Sequence, residues 1–241
     1  MRGSDRTYSH QTAEFAHDAD QLTLAIAGAF SVIDSIGTWT VPPGCAAQIP
    51  ARLRHSIRPL PRVRTRTLYV SGGQPSRLRR AGGSCAVLKL TPLVTAIIDH
   101  VCNTQHAQDA AASKHLLAVF LDQLPQQREL PLFVPALRSP LARRVAEALE
   151  ADPAGTPRIR DLAAELAVSD RTLERAFIAD AGMALGEWRQ RSRVCRAIAL
   201  LAGGQAVKDV ALEVGYETPS AFVLAFKKFV GATPGKTLHG R

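Results

Sequence analysis

The spacing of hydrophobic positions changes along the chain, and the changes divide it. From about residue 20 to 90 the apolar runs are short, such as Leu22 to Phe30 and Trp39 to Val41. Turn formers interrupt them at Pro42-Pro43-Gly44, Pro50, Pro59, Pro61 and Gly72-Gly73. Closely spaced strands between such turns predict a small barrel or sandwich. From Pro92 the period becomes helical. Leu93, Val94, Ile97, Ile98 and Val101 share one stripe, and Leu116, Leu117, Phe120, Leu121 and Leu124 another. Pro125 to Pro140 contains four prolines, so it cannot run as one helix and reads as a linker. Everything beyond it is helical in pattern. The expected architecture is α+β in two domains: a β-rich barrel or sandwich over 1–90, a helical pair over 91–124, a linker over 125–140 and an all-α domain over 141–241.

The all-α part carries an internal near-repeat. Asp161, Ala163 and Glu165 recur as Asp209, Ala211 and Glu213, an offset of 48. Further on, Leu173, Ala176, Phe177 and Gly182 recur as Phe222, Ala225, Phe226 and Gly231, an offset of 49. The second copy therefore has one extra residue in its turn. Each copy has the parts of a helix-turn-helix. The small Ala163 and Ala211 let the second helix cross closely over the first. Ser169 and Thr218 suit the N-cap of that second helix, and Pro219 suits its first position. Leu173/Phe177 and Phe222/Phe226 are i,i+4 pairs that anchor each recognition helix and leave its other face open. A long helix from about Leu185 to Leu201 would hold the two units apart. Recognition helices about 34 Å apart can enter successive major grooves on one side of a duplex.

Charge supports a polyanionic partner without locating its site. The net charge is +9 and the isoelectric point about 9.9. From Arg138 onward there are 16 Lys/Arg against 12 Asp/Glu, and before it 14 against 9. The motifs must therefore carry the assignment. No apolar run approaches the roughly 20 residues of a membrane span, and no signal-peptide core follows the N-terminal basic residues. Cys45, Cys85, Cys102 and Cys195 form no C-x-x-C pair, which fits free thiols in a reducing cytoplasm.

The stretch from Ile159 to Thr237 resembles the DNA-binding domain of the AraC/XylS family of bacterial transcription regulators. The resemblance rests on Gly186-Glu-Trp188-Arg-Gln, Ala211-Leu-Glu-Val-Gly215-Tyr, Pro219-Ser-Ala-Phe222 and Phe226-Lys-Lys-Phe-Val-Gly231-Ala-Thr-Pro234-Gly. On the first recognition helix Asp170, Arg171, Thr172, Glu174, Arg175 and Ile178 lie off the apolar stripe. Arg171 and Arg175 are one turn apart and suited to guanine O6/N7, and a carboxylate such as Glu174 can accept from cytosine N4. The resemblance implies that positions matching Arg171, Glu174 and Arg175 face the bases. For Glu174 the alternative is a solvated carboxylate paired with an arginine. The second recognition helix offers Thr218, Ser220, Ala221 and Leu224, poor in hydrogen-bonding groups but able to meet a thymine methyl or a phosphate. Lys227 and Lys228 lie further along and suit phosphates. The first unit is thus expected to carry most direct readout, and the second register and affinity.

The same resemblance implies an N-terminal cupin-like domain, and two cupin motifs fit in spacing. They read Phe15-x-His17-x3-Gln21-x6-Gly28 and Gly44-x5-Pro50-x-Arg52-x2-His55. Phenylalanine and glutamine replace two of the four metal ligands, leaving only His17 and His55. No metal or other cofactor is expected, and the rival reading, a cupin metalloenzyme, loses its chemistry. Phe15, His17, Gln21, Phe30, Trp39 and His55 are instead candidates to line a small-molecule effector pocket, the histidines otherwise hydrogen-bonding within the barrel. Between Asp34 and Asp99 there is no acid but nine arginines and one lysine. Arg62, Arg64 and Arg66 alternate, so they share one strand face. Solvation, an anionic effector and DNA phosphates are the three uses open to that face.

The helical pair either joins two subunits, as in the resembled family, or covers the barrel. The sequence thus describes a cytoplasmic, non-enzymatic, sequence-specific DNA-binding regulator. It is expected to be a homodimer controlled by a small molecule. The alternative is control by protein contacts alone, and activation would add RNA polymerase as a partner.

Overall fold

The computed structural model describes residues 1–71, 83–103, 110–151 and 159–239. An N-terminal antiparallel sheet with two helices is followed by a helical C-terminal region, giving two domains of α+β class. The expected turn at Gly72-Gly73 lies outside the described residues.

The sheet contains β1 (Arg2–Tyr8), β2 (Asp20–Ile33), β3 (Gly37–Val41), β4 (Cys45–Ile49), β5 (Ser56–Val70), β6 (Ala86–Lys89), β7 (Arg128–Leu130) and β8 (Phe133–Pro135). Its main path is β1-β5-β2-β4-β6-β7, and β3 pairs with both β2 and β8. Among the described residues this is an open path with β1 and β7 at its edges, where the sequence suggested a closed barrel. β2 and β5 are far longer than the short strands expected, 14 and 15 residues. Pro59 and Pro61 do not end β5: Pro61 falls in the β2–β5 register shift between Gly28/Val63 and Ala29/Leu60, and Pro59 lies next to that shift, opposite Phe30. Gly28 permits that bend. Its φ is +74°, and a Cβ there would come within 2.0 Å of the Arg62 carbonyl oxygen.

Alternation gives the sheet two faces. Leu22, Leu24, Leu68 and Leu88 point to one side and pack with α1 (Pro92–Asn103) and α2 (Ala110–Gln123) through Val94, Ile97, Ile98, Phe120 and Leu124. The other side, with Ala25, Ala47, Ile49, Val63 and Val87, packs with Phe30, Val32, Trp39 and Val41. The proline-rich stretch 125–140 is more than a connection. β7 pairs with β6, and β8 with β3. Strands of three residues between prolines are too short to register as alternation in the sequence.

The C-terminal region comprises α3 (Pro140–Ala151), α4 (Ile159–Glu165), α5 (Asp170–Ala181), α6 (Leu185–Ala202), α7 (Val207–Glu213), α8 (Pro219–Val230) and α9 (Pro234–His239). Val145, Leu149, Leu162, Leu173, Phe177 and Trp188 form a core around the first helical unit. The second unit has no separate core. Its Val194, Ile198, Val210, Phe222 and Phe226 belong to the cluster that contains Phe30, Trp39 and Val87 of the sheet. Arg191 Nη1 donates to the Phe133 carbonyl at 3.4 Å, and Cys195 Sγ to that of Leu132 at 3.9 Å.

Candidate nucleic-acid interface

The two helix-turn-helix units match bond for bond. In the first turn Val168 N donates to the Ala163 oxygen at 2.9 Å, and in the second Tyr216 N donates to the Ala211 oxygen at 2.9 Å. Ala167 and Gly215 hold the matching left-handed position, with φ of +54° and +87°. Ser169 Oγ then accepts from Thr172 N at 3.1 Å and Thr218 Oγ1 from Ala221 N at 3.2 Å, so both recognition helices carry the expected N-cap. Glu217 is the extra residue between the second turn and its cap. Both helices end on a left-handed glycine, Gly182 at φ +68° and Gly231 at φ +79°.

The inward anchors are fully packed. Leu173 and Phe177 are 1% exposed, and Phe222 and Phe226 no more. Phe177 meets Trp188 edge-on at 5.5 Å, and Phe222 meets Phe226 at 5.6 Å. Behind the second turn, the Arg193 guanidinium lies 5.6 Å from the Tyr216 ring centre. Burial pushes the Tyr216 phenol up, and burial with the nearby Arg189 charge pulls Arg193 down. The first head is also tied down at its base: Asp180 Oδ2 accepts from the backbone N–H groups of Arg138 (2.8 Å) and Ser139 (2.9 Å) at the start of α3.

Outward positions correspond one to one between the heads. Arg171 matches Ser220, Thr172 matches Ala221, Arg175 matches Leu224 and Ile178 matches Lys227, and all eight side chains are exposed. Leu224, at 73%, is the most exposed large apolar side chain described. Arg171 and Arg175 have no ion-pair partner among the described residues, whereas the exposed Asp170 lies 4.0 Å from Arg160. Glu174 is half-buried, and no arginine among the described residues pairs with it. Lys227 and Lys228 are exposed in the last turn of α8.

In the N-terminal domain, four of the six pocket candidates are gathered by one strand pairing and one aromatic cluster. Phe15 and His55 exchange backbone hydrogen bonds of 2.9 Å, and their rings lie 4.5 Å apart. His17 packs 5.1 Å from Phe15 and 5.3 Å from Tyr69, and Gln21 stands opposite Tyr69 in the β2–β5 register. Phe30 and Trp39 are instead used in the core, Phe30 fully buried and Trp39 stacked on Phe133 at 4.4 Å. The sequence did not single out Tyr69, or Arg2, whose guanidinium lies 5.0 Å from the Tyr69 ring centre. Alternation along β5 is the signal that could have found Tyr69, because it shares the face of Thr65 and Thr67. Burial, then Arg6 and Arg2, pull the His17 pKa down. Among the described residues, no group of three or more His, Cys, Asp or Glu could hold a metal ion.

The arginine face of β5 has acidic partners from elsewhere in the chain. Asp5 on β1 accepts from Arg64 (2.8 and 3.1 Å) and Arg66 (3.3 Å), while Asp99 and Asn103 on α1 accept from Arg66 at 2.6 and 3.0 Å. The Arg64 guanidinium beside Asp5 holds its carboxyl below the usual range, aided by Arg66 and against burial. This pairing accounts for two of the three arginines without a ligand.

Comparison with known proteins places this architecture. A helix-turn-helix domain family matches residues 162–240. The chain is 31% identical over 221 residues to the HTH-type transcriptional regulator NimR of Escherichia coli K12, covering 91% of this chain and 80% of NimR. It is 33% identical over 122 residues to a putative AraC-like transcription regulator of Streptomyces lividans, covering 50% of this chain and 40% of that protein. Among solved structures, ToxT of Vibrio cholerae aligns over 98% of both chains at 14% identity and a TM-score of 0.42. No described helix is long and apolar enough to cross a membrane. With a relative at this identity matched over most of both chains and two matched helix-turn-helix units, the chain belongs to the AraC family of helix-turn-helix regulators and is a DNA-binding transcription regulator.

Proposed function

We propose that the two heads divide the work of reading an operator, and that a small molecule in the cupin-like N-terminal domain controls them. On α5, Asp170, Arg171, Thr172, Glu174 and Arg175 discriminate bases, with the two arginines directed at guanines. On α8, Thr218 and Ser220 bond the backbone, Ala221 and Leu224 meet thymine methyls, and Lys227 and Lys228 meet phosphates. The observation that carries this reading is the position-by-position match of the exposed faces. Where the first head has Arg175, the second has the bare Leu224. A guanidinium can select a base by two hydrogen bonds, but an isobutyl group can only favour a methyl.

The effector is assigned to the cluster of Phe15, His17, Gln21 and His55 with Tyr69. Support comes from the aromatic packing there and from the buried His55 Nε2, which has no hydrogen-bond partner among the described residues. The protein acts by binding alone, in the cytoplasm, as a homodimer joined through α1 and α2. Leu93 and Val119, 49% and 44% exposed on those helices, support that joint. Where it activates, RNA polymerase is its partner.

In vitro selection of bound DNA from a random library tests the division of labour. The native protein should enrich two elements about one helical turn apart. Arg171→Ala should relax base preference in one element only, costing about 1–3 kcal/mol at the affected position. Unchanged selectivity in Arg171→Ala, with loss of all selectivity in Leu224→Ala, would reverse the assignment.

A further inference from the structure

The two heads match at their turns, caps and outer faces but differ at the C-terminal ends of their recognition helices. A Cβ built on Gly182, which ends α5, would meet nothing within 4 Å. One built on Gly231, which ends α8, would lie 3.0 Å from Arg128 Nη1 and 3.8 Å from Lys89 Nζ. Lys89 Nζ also donates to the Gly231 carbonyl at 3.5 Å. Lys89 and Arg128 belong to the sheet and stand opposite each other in the β6–β7 register.

Like charges directly opposed on a strand pair are unfavourable. Neither cation has an acidic partner among the described residues. What faces them is the end of α8, whose free carbonyls carry the negative pole of the helix, roughly half an elementary charge. The cations and the helix end therefore stabilise one another. Lys227 and Lys228 in the last turn add two further basic residues to that end of the helix. The outward positions Ser220, Ala221 and Leu224 stay exposed while the clamp is made, so it is compatible with reading DNA.

We infer that Lys89 and Arg128 are positioning residues for the second reading head: by gripping the C-terminal end of α8 they fix its angle, and hence the spacing of operator elements the protein accepts. Among the described residues, nothing grips the first head at Gly182 in this way. The N-terminal domain thus sets the geometry of DNA reading directly, through two side chains, whether or not an effector is bound. The inference rests on α8 being a reading head.

The test uses the full chain with Lys89→Met, Arg128→Met and the double variant, alongside Lys89→Arg as the conservative control. A two-element site selected with native protein is rebuilt with one or two base pairs added or removed between the elements, and affinities are measured by fluorescence anisotropy. Native protein should lose about tenfold or more on the altered spacings, within the usual range of coupling between sites. The double variant should bind every spacing within about threefold, with a melting temperature near the native one and the Lys89→Arg profile native. An unchanged spacing profile would overturn the inference. So would uniform weakening at all spacings with a shallower salt dependence, because that is the signature of lost phosphate contacts. If the native protein enriches only one element, α8 is not a reading head and the underlying reading fails first.

Discussion

The matched turns offer an internal control on backbone strain. Ala167 and Gly215 occupy the same left-handed position, one with a Cβ and one without. A Cβ in that region costs about 1–2 kcal/mol. Removing it also gives the unfolded chain more freedom, worth about 0.5–1 kcal/mol in the other direction. Ala167 is exposed, so no packing is lost on its removal. Ala167→Gly should therefore stabilise the chain by about 0.5–1 kcal/mol, and Gly215→Ala should destabilise it by about the same or somewhat more. For a chain of this size 1 kcal/mol moves the melting temperature by about 2–4 °C. Scanning calorimetry of both variants and of the exchanged double would read it. A lower melting temperature for Ala167→Gly, or no change for Gly215→Ala, would show that turn strain is not what separates the two copies.

Two further outcomes are expected. The His55 Nδ1 donates to the Leu53 carbonyl at 2.9 Å, which leaves Nε2 as a buried acceptor, and burial lowers its pKa below the usual value of about 6.5. The unfolded chain then takes up a proton first as the pH falls, so stability should decline from about pH 6.5 through the lower folded-state value and be level above. His55→Gln should flatten that decline in urea titrations run at pH 5 to 8, and an unaltered slope would contradict the argument. Burial pushes the Cys45 thiol up to about 12 and Cys195 up to about 11, and raises Cys85 as well. Iodoacetamide at pH 8 should leave these three unmodified in the folded protein and reach all four thiols in urea. Alkylation of folded Cys45 at the rate of a free thiol would show that its strand opens readily.

What the sequence disclosed was local, and what it hid was distant. Ser169, Thr218, Leu173/Phe177 and Phe222/Phe226 act within one helix turn of themselves, so spacing alone revealed the two units and their offset. The helical stripes over 92–124 were legible for the same reason, although Leu93 turns outward. The length of β5 was not, because Pro59 and Pro61 look like terminators until β5 is seen to bulge there, with Pro61 and Arg62 left over between the pairs Ala29/Leu60 and Gly28/Val63. The arginine-rich run looked unpaired because its acids, Asp5 and Asp99, come from β1 and α1. Lys89 and Gly231 are 142 residues apart, and no periodicity links them. Of the pocket candidates, the fold brings the rings of Phe15, His17 and His55 together, whereas cupin spacing could not tell that Phe30 and Trp39 would be used in packing.

The single cluster shared by the sheet and the second head has a consequence for how the molecule comes apart. Sequence order suggests cutting at residue 140, yet that cut would strip Val194, Ile198, Phe226 and their neighbours of the apolar surface that covers them. The first head keeps its own core around Phe177 and Trp188. The cooperative unit in unfolding is therefore discontinuous in the chain: the N-terminal sheet melts together with the C-terminal head, while the head between them is free to open alone.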